Sequence, residues 1–240
     1  MKARVINFRK QEVYMSERWF TEEAASFLCE LKERNSRQWY LDNKEVYQEV
    51  VMKPLIDLVC SLSSTMLDID NDMEVRPFVG KTISRIHCDA RFSKNVLFKD
   101  RMWVTFKKIG ASKVDYPSFF FEFSPYSYRY GMGFFSASPK SMLAIREAID
   151  ENEKDFIKII KKVKKDNLFS PEGEMYKKEY YKGKNAEVAL WYNRRNIYLV
   201  RNSNDITELY SMEKIDEIRK GFENLKDMYQ FFASAIGRES

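Results

Sequence analysis

The side chains best suited to chemistry lie in one short stretch, residues 84–99, which reads SRIHCDARFSKNVLFK. Successive side chains of a β-strand point to opposite faces, so the alternate residues Arg85, His87, Asp89 and Arg91 are expected on one face. A planar guanidinium group donates parallel hydrogen bonds that match a carboxylate or a phosphate. An aspartate between two arginines keeps a low pKa and stays an anion. The row therefore predicts a binding site for a small anion.

Two other interpretations of this row remain open. Its charged side chains can pair with one another and merely hold the strand to a neighbouring loop, as a salt-bridge network. The row can also be catalytic, because ionic clusters with perturbed pKa values mark functional sites in a statistical sense. His87, the single histidine of the chain, can act as a general base only if it is exposed in a pocket and has a partner for its second nitrogen.

A second carboxylate, Glu122, stands in the strand-like pattern SFFFEFS. If it lies across from Arg85 or Arg91, the polar face of the sheet gains a pair of carboxylates beside arginine, which suits acid–base chemistry. A simple ion pair is the alternative. The candidates for catalysis are therefore Asp89, Glu122 and His87.

Tyrosines recur at every second position further along, at Tyr126, Tyr128 and Tyr130. Nucleobases stack on such rings in RNA-binding sheets, whereas half-buried tyrosines commonly serve cross-strand packing. The net charge of +5 is modest, and the aromatic signature of RNA-binding sheets is missing, so packing is favoured. The alternative to the anion site is a non-enzymatic module that holds nucleic acid or a protein through exposed tyrosines and basic residues. Gly131 and Gly133, which follow, indicate a bulge or a close backbone approach.

Composition argues against several kinds of site. One histidine and three cysteines without C-x-x-C spacing do not predict a zinc site or a disulfide framework. Eight glycines leave little for phosphate loops, and no P-loop, G-x-S-x-G or kinase signature occurs. We therefore expect no metal ion and no cofactor.

The first residues, MKARVINFRKQEVYM, alternate charged and apolar side chains and lack the apolar segment of a signal peptide. No other stretch reads as the run of about 20 apolar residues that spans a membrane. We expect a cytosolic protein without a membrane partner. The sequence leaves its oligomeric state undefined.

The elements that must position these residues follow from periodicity. Helical spacing covers about residues 21–68, with Thr21 as the first N-cap and a kink around Pro54. Aromatic and β-branched residues at period two cover about residues 75–135, and short connections imply antiparallel pairing. Helices resume after Ser138 and continue to about residue 236. The predicted strands are residues 83–93, 102–107, 119–124 and 127–135, followed by a hairpin of residues 186–192 and 196–200.

These patterns predict an α+β fold with a single domain over residues 1–240. A central, mainly antiparallel sheet is formed by the middle third of the chain. Helices from the N- and C-terminal parts cover its apolar face.

The charged stretch also resembles a known motif. Arg85, Cys88, Asp89 and Arg91, with the following FSKN and then Phe98-Lys99, are similar to R-x-x-R-D-x-R-F-S-K-D-K-x-P-Y-K of the bacterial conserved hypothetical proteins grouped as domain of unknown function 2461. The resemblance covers most of the chain. Upstream it includes Phe27, Leu28, Leu31, Asn35, Arg37, Trp39, Tyr40, Asn43, Lys44 and Tyr47, and downstream Ser124, Pro125, Gly131, Gly133, Leu143, Ile145, Arg146 and Ile149.

The resemblance implies a polar site but names no reaction. It singles out Arg85, Asp89, Arg91 and Lys99, and by analogy it places Trp39, Asn43 and Lys44 in a second wall. Tyr126 is a further candidate for ligand binding. The chain departs from the motif at Cys88, which replaces its second arginine, at Asn95, which replaces its aspartate, and at Val96-Leu97, where the lysine and proline are lost. A site that needs those groups is altered here.

Overall fold

The structure is a computed structural model that describes residues 18–89, 91, 95–111, 115–183 and 185–237. It confirms the α+β fold. The helices are α1 (Glu22–Arg34), α2 (Arg37–Asp42), α3 (Lys44–Tyr47), α4 (Lys53–Ile69), α5 (Pro139–Glu151), α6 (Glu153–Lys164), α7 (Ala186–Tyr192), α8 (Glu213–Asn224) and α9 (Lys226–Gly237), with a π-helical turn at Gln48–Met52 and a 3₁₀ helix at Ile206–Tyr210. The strands are β1 (Met102–Lys107), β2 (Ser118–Phe123), β3 (Tyr128–Gly133), β4 (Ser170–Glu172) and β5 (Tyr198–Ser203).

The sheet is antiparallel throughout, in the order β1-β2-β3-β5-β4. Residues alternate between an inner face that is buried and an outer face that is half-buried along β1 and β2. Segments from both halves of the chain cover the inner face: Phe20, just before α1, packs on Phe123 at 4.5 Å, and Phe222 of α8 packs on Phe119 at 5.1 Å between ring centroids. The inner-face residues of β1, β2 and β3 are Met102, Val104, Phe106, Phe119, Phe121, Phe123, Tyr128, Tyr130 and Met132.

Helix ends follow the expected chemistry in most places. Ser138 caps α5 as predicted, since its side chain accepts a hydrogen bond from the backbone N–H of Ser141. Thr21 occupies the N-cap position of α1, but its hydroxyl bonds to Glu23 instead of the helix backbone. The helix ends at Asn35, which adopts the left-handed conformation common at helix C-termini.

Near Pro54, where the sequence predicts a kink, the structure has a π-helical turn just before the proline, in which the Lys53 N–H donates to the Gln48 carbonyl. Proline lacks an N–H and crowds the preceding turn, so a widened turn accommodates it. By length and composition alone, residues 44–69 would suffice to cross a membrane, a segment that the sequence patterns did not predict. This is weak evidence for a membrane, because half of the most apolar window is buried within the protein, as in the core helix of a soluble protein.

Two of the predicted strands differ in the structure. Within residues 83–93, Ile83 and His87 form isolated bridges in place of a continuous strand, and residues 90, 92 and 93 lie outside the described part of the chain. Residues 186–192 form helix α7 and not the first strand of a hairpin. The Asn185 side chain accepts hydrogen bonds from the backbone N–H groups of Glu187 and Val188, and this N-cap starts a helix where the apolar pattern alone suggested a strand.

Gly131 and Gly133 allow the backbones of β3 and β5 to approach each other closely. A Cβ atom on Gly131 would lie 1.9 Å from the Leu199 carbonyl oxygen, and one on Gly133 would lie 2.4 Å from the Tyr198 Cα. The expectation of a close backbone approach at these glycines is confirmed. β5, from the last third of the chain, can therefore join the sheet formed by its middle third.

Candidate functional site

In the described part of the stretch 84–99, residues 84–89 form a first extended arm and residues 95–99 a second one, beside β1 at the edge of the sheet. The Ser84 N–H donates to the Trp103 carbonyl at 2.9 Å, which ties the first arm to β1. The two arms pair with each other, since the Cys88 N–H donates to the Leu97 carbonyl and the Lys99 N–H to the Ile86 carbonyl, both at 2.9 Å. Backbone pairing thus fixes the charged residues relative to the sheet.

The predicted alternation holds in the described part of this segment. Arg85, His87, Asp89 and Arg91 are all exposed, while Ile86 between them is buried. The structure therefore brings the four polar residues to the protein surface, as the sequence predicts.

Asp89 and Arg91 form an ion pair at the end of the first arm. The Arg91 guanidinium donates from Nε at 3.0 Å and from Nη2 at 2.6 Å to the two carboxylate oxygens, and the Arg91 backbone N–H donates to Oδ1 at 3.0 Å. These hydrogen bonds lower the pKa of Asp89 to about 2. Asp89 is therefore an anion at neutral pH and orients Arg91.

Lys99 lies on the second arm and faces both the first arm and the sheet. Its Nζ donates to the Arg85 carbonyl at 2.5 Å and lies 4.5 Å above the centre of the Trp103 ring. Burial lowers the pKa of Lys99 and outweighs the opposing effect of Cys88. Lys99 thus joins the arms to the outer face of the sheet.

His87 lies on the first arm between two aromatic rings. Its ring contacts Tyr40 at 5.4 Å and Phe98 at 5.0 Å between centroids. Its pKa is lowered, first by burial and then by the charges of Arg37 and Lys99. The imidazole is therefore neutral at pH 7, in an electropositive environment.

Helix α2 lies beside the first arm, and the residues predicted for a second wall have different surroundings there. Tyr40 contacts His87, and the charge of Arg37 lowers the pKa of His87, whereas Trp39 packs against Phe27 at 5.3 Å. Two other predicted residues turn elsewhere. The Asn43 amide donates to the Trp39 carbonyl at 2.8 Å, and Lys44 is exposed at the start of α3.

Asn35 holds the second arm in place, a role that sequence patterns did not reveal. Its Nδ2 donates to the Asn95 carbonyl at 2.7 Å, and its Oδ1 accepts the Leu97 N–H at 2.8 Å. The signal available in the sequence was an asparagine just after a helix, which is a residue type that tolerates the left-handed conformation. Its bonding partners, about 60 residues away, could not be read from local spacing.

Glu122 does not lie across from Arg85 or Arg91. Its register partners are Trp103 on β1 and Arg129 on β3. The Arg129 guanidinium donates to both of its oxygens, at 3.0 and 3.3 Å, and Arg101 approaches at 3.5 Å. The pattern of two arginines around a carboxylate thus occurs on the outer sheet face, where it lines a shallow cleft of about 230 Å³.

The three tyrosines at alternate positions differ in their exposure. Tyr128 and Tyr130 are buried on the inner face, with their rings stacked at 6.4 Å, so their role in packing is confirmed. Tyr126 is 71% exposed, and its hydroxyl lies 3.5 Å from the Cys29 sulfur, away from the two arms. Tyr128 and Tyr130 are therefore excluded as exposed stacking residues.

Metal-ligating residues do not cluster in the part of the chain that the structure describes: no group of three or more His, Cys, Asp and Glu side chains converges there. The cysteines Cys29, Cys60 and Cys88 are free thiols.

Comparison with protein-family models matches residues 23–231 to the family described as "Conserved hypothetical protein (DUF2461)". The match includes both arms, the sheet and the helices from α1 to the first half of α9. Comparison with curated proteins gives no match.

Proposed function

Because the chain belongs to the DUF2461 family, which fixes no reaction, we propose its function from the geometry of the two arms: it is a cytosolic protein that binds a small anionic ligand. The ligand carries a phosphate or carboxylate group. Arg85, Arg91 and Lys99 bind this group, and Asp89 orients Arg91.

The observation that carries the proposal is that the two arms place Arg85 and Lys99 next to His87 on the exposed surface. The Lys99 Nζ lies 2.5 Å from the Arg85 carbonyl, and His87 pairs with Phe98, the residue before Lys99. The charges of Arg37 and Lys99 also lower the pKa of His87. Like charges held close together destabilise a fold, and an anion bound among them removes that repulsion. The exposed guanidinium groups supply donors in the planar arrangement that phosphates and carboxylates prefer.

The same geometry favours binding over catalysis. Asp89 has a pKa of about 2 and is a poor proton donor at neutral pH. Glu122 is engaged by Arg129 and belongs to a different part of the surface. His87 is neutral and exposed, so it serves best as a hydrogen-bonding partner and as a reporter of bound charge.

The single histidine allows a direct test by NMR. We expect inorganic phosphate to raise the pKa of His87 in a saturable manner, because a bound anion offsets the charges of Arg37 and Lys99. It should also raise the melting temperature by mass action. Arg85→Gln should weaken phosphate binding about tenfold, the loss of one charge-assisted contact of about 1.4 kcal/mol.

Lys154→Gln is the matched control, because it removes an exposed cation from α6, among the helices. It should leave phosphate binding unchanged. Absence of any phosphate-dependent shift at His87 and in melting temperature would overturn the proposal, as would equal effects of Arg85→Gln and Lys154→Gln. A metabolite screen by thermal shift then identifies the rest of the ligand.

A further inference from the structure

The outer face of the sheet presents aromatic rings next to the two arms. Trp103 on β1 and Phe120 on β2 point outward from neighbouring strands and are half-buried. They are diagonal neighbours, because Trp103 pairs with Glu122 and Phe120 with Thr105. In the described part of the chain, the helical rings that pack on β1 and β2 do so on the inner face, for example Phe222 on Phe106 and Phe119.

Each of these rings has a cation above it. The Lys99 ammonium lies 4.5 Å from the Trp103 ring centre, and the Arg129 guanidinium lies 5.9 Å from the Phe120 ring centre. Long basic side chains move readily, so Lys99 can leave the Trp103 ring for a phosphate while a base takes its place, whereas Glu122 keeps Arg129 beside Phe120. Alternating rings and cations are the pattern that proteins use to bind single strands.

The cations form two centres on this face. Lys99 and Arg85 lie at the β1 edge, and Arg101 and Arg129 lie beside the shallow cleft. Two strand spacings, about 10 Å, separate β1 from β3. A ligand with several phosphates and planar bases therefore matches the surface better than one phosphate alone.

We infer that the outer sheet face binds a short single-stranded stretch of nucleic acid, with Trp103 stacking a base and with Lys99, Arg101 and Arg129 contacting phosphates. This rests on the proposed function, because the anion site becomes one end of a longer surface. Glu122 holds Arg129 at 3.0 Å and so fixes the second phosphate contact. An open, shallow face suits a polymer, since an extended strand makes several modest contacts without being enclosed.

The test is a fluorescence anisotropy titration of the full chain with labelled mixed-sequence single strands, DNA and RNA, of about 12 nucleotides. Three phosphate contacts give a salt slope of about −2, so affinity should fall about 20-fold between about 50 and 200 mM salt. Trp103→Leu should weaken binding about tenfold without changing this slope, because it removes stacking only. Lys99→Gln should weaken binding and lower the slope by about 0.7.

Two controls separate stacking from folding and from nonspecific charge. Trp103→Phe keeps a ring and should restore most of the affinity lost in Trp103→Leu. Lys154→Gln removes a cation from the helices and should change neither affinity nor slope.

No binding of either strand at low salt would overturn the inference, as would equal losses in Trp103→Leu and Trp103→Phe. A slope lowered as much by Lys154→Gln as by Lys99→Gln would also overturn it. If phosphate still shifts His87 while oligonucleotides do not bind, this inference fails and the anion site stands.

Discussion

The Glu208 carboxylate accepts hydrogen bonds from several polar side chains. It accepts hydrogen bonds from Tyr128 Oη at 2.6 Å, Ser203 Oγ at 2.7 Å and Lys214 Nζ at 2.8 Å. Burial alone raises its pKa, but the bonds from Lys214, Tyr128 and Ser203 outweigh this and lower it to about 2. The Lys214 side chain is only 7% exposed, so its charge depends on this partner.

We expect Glu208→Gln to lower the free energy of unfolding by about 2 kcal/mol at pH 7, because Lys214 loses its buried counter-charge. The folded pKa lies below the unfolded value of about 4.3, so the stabilisation is present above that value and fades as pH falls toward 2. Urea denaturation at pH 7, 5 and 3, on both sides of the unfolded pKa of about 4.3, measures the free energy of unfolding.

Glu217→Gln is the control for this prediction. Glu217 contacts the same ammonium group but is 59% exposed, and the loss should be about 0.5 kcal/mol. A loss in Glu208→Gln that stays constant down to pH about 3 would contradict the assignment.

Residue-scale prediction from sequence succeeded where it relied on local alternation. The exposure of Arg85, His87, Asp89 and Arg91 follows from extended backbone alone, which a sequence pattern reveals. Their partners did not follow in the same way. Arg37 and Tyr40 belong to helix α2, which is distant from His87 in the sequence. The partner of Glu122 depends on the sheet register, which no single strand encodes.

Helices and strands were predicted well where periodicity and flanking residues agreed, and poorly where they conflicted. Strands β1, β2 and β3 combine alternation with aromatic and β-branched residues. Helix α7 has a short apolar run that fits either structure, and the N-cap Asn185 decided the outcome. The short strand β4 contains Pro171 and escaped prediction, because it forms only through pairing with β5 at the sheet edge.

At the level of the sheet, we expect Gly131→Ala to lower the free energy of unfolding by about 3 kcal/mol or more, because the new Cβ meets the backbone of β5. Gly237→Ala, at the exposed end of α9 with nothing near its added Cβ, should change stability by less than about 0.5 kcal/mol. Chemical denaturation gives the free energy of unfolding of both variants. Similar losses would show that the contact of β3 with β5 is not tight.

The junction between α1 and the second arm gives a further prediction. Asn35→Ala removes two hydrogen bonds and leaves a non-glycine residue in the left-handed conformation, so we expect a loss of about 2–3 kcal/mol. Asn35→Gly should lose less, because glycine adopts this conformation without strain.

Both variants should also weaken phosphate binding, since Lys99 lies on the second arm, which Asn35 holds in place. Thermal denaturation and the phosphate titration measure the two effects. Equal stability of the alanine and glycine variants would contradict the role of backbone conformation at this position.

Over the whole molecule, one hydrophobic cluster joins elements from every part of the described chain. It contains Leu28 of α1, Phe121 of β2 and Phe232 of α9. A hydrogen bond of 2.8 Å from Tyr229 Oη to Asp70 further ties the last helix to the end of α4. The fold class was predictable because it depends on the order and type of elements, whereas the position of β5 inside the sheet depends on long-range pairing.

We therefore expect thermal unfolding in a single cooperative transition, with equal calorimetric and van't Hoff enthalpies. Tyr229→Phe should lower the melting temperature without splitting the transition, because it removes one bond and leaves the cluster intact. Two separate transitions in calorimetry would show that the N- and C-terminal helices belong to independent units.

The place of β5 between β3 and β4 also bears on synthesis. While a ribosome makes the chain from its N-terminus, β3 emerges before its neighbour, and residues 134–197 must follow before β5 can pair with it. Until then β3 is an open edge with unpaired backbone groups, a feature that promotes aggregation. The nascent chain thus passes through an exposed stage that ends only when residue 203 has left the exit tunnel, and a pause in translation before that point prolongs it.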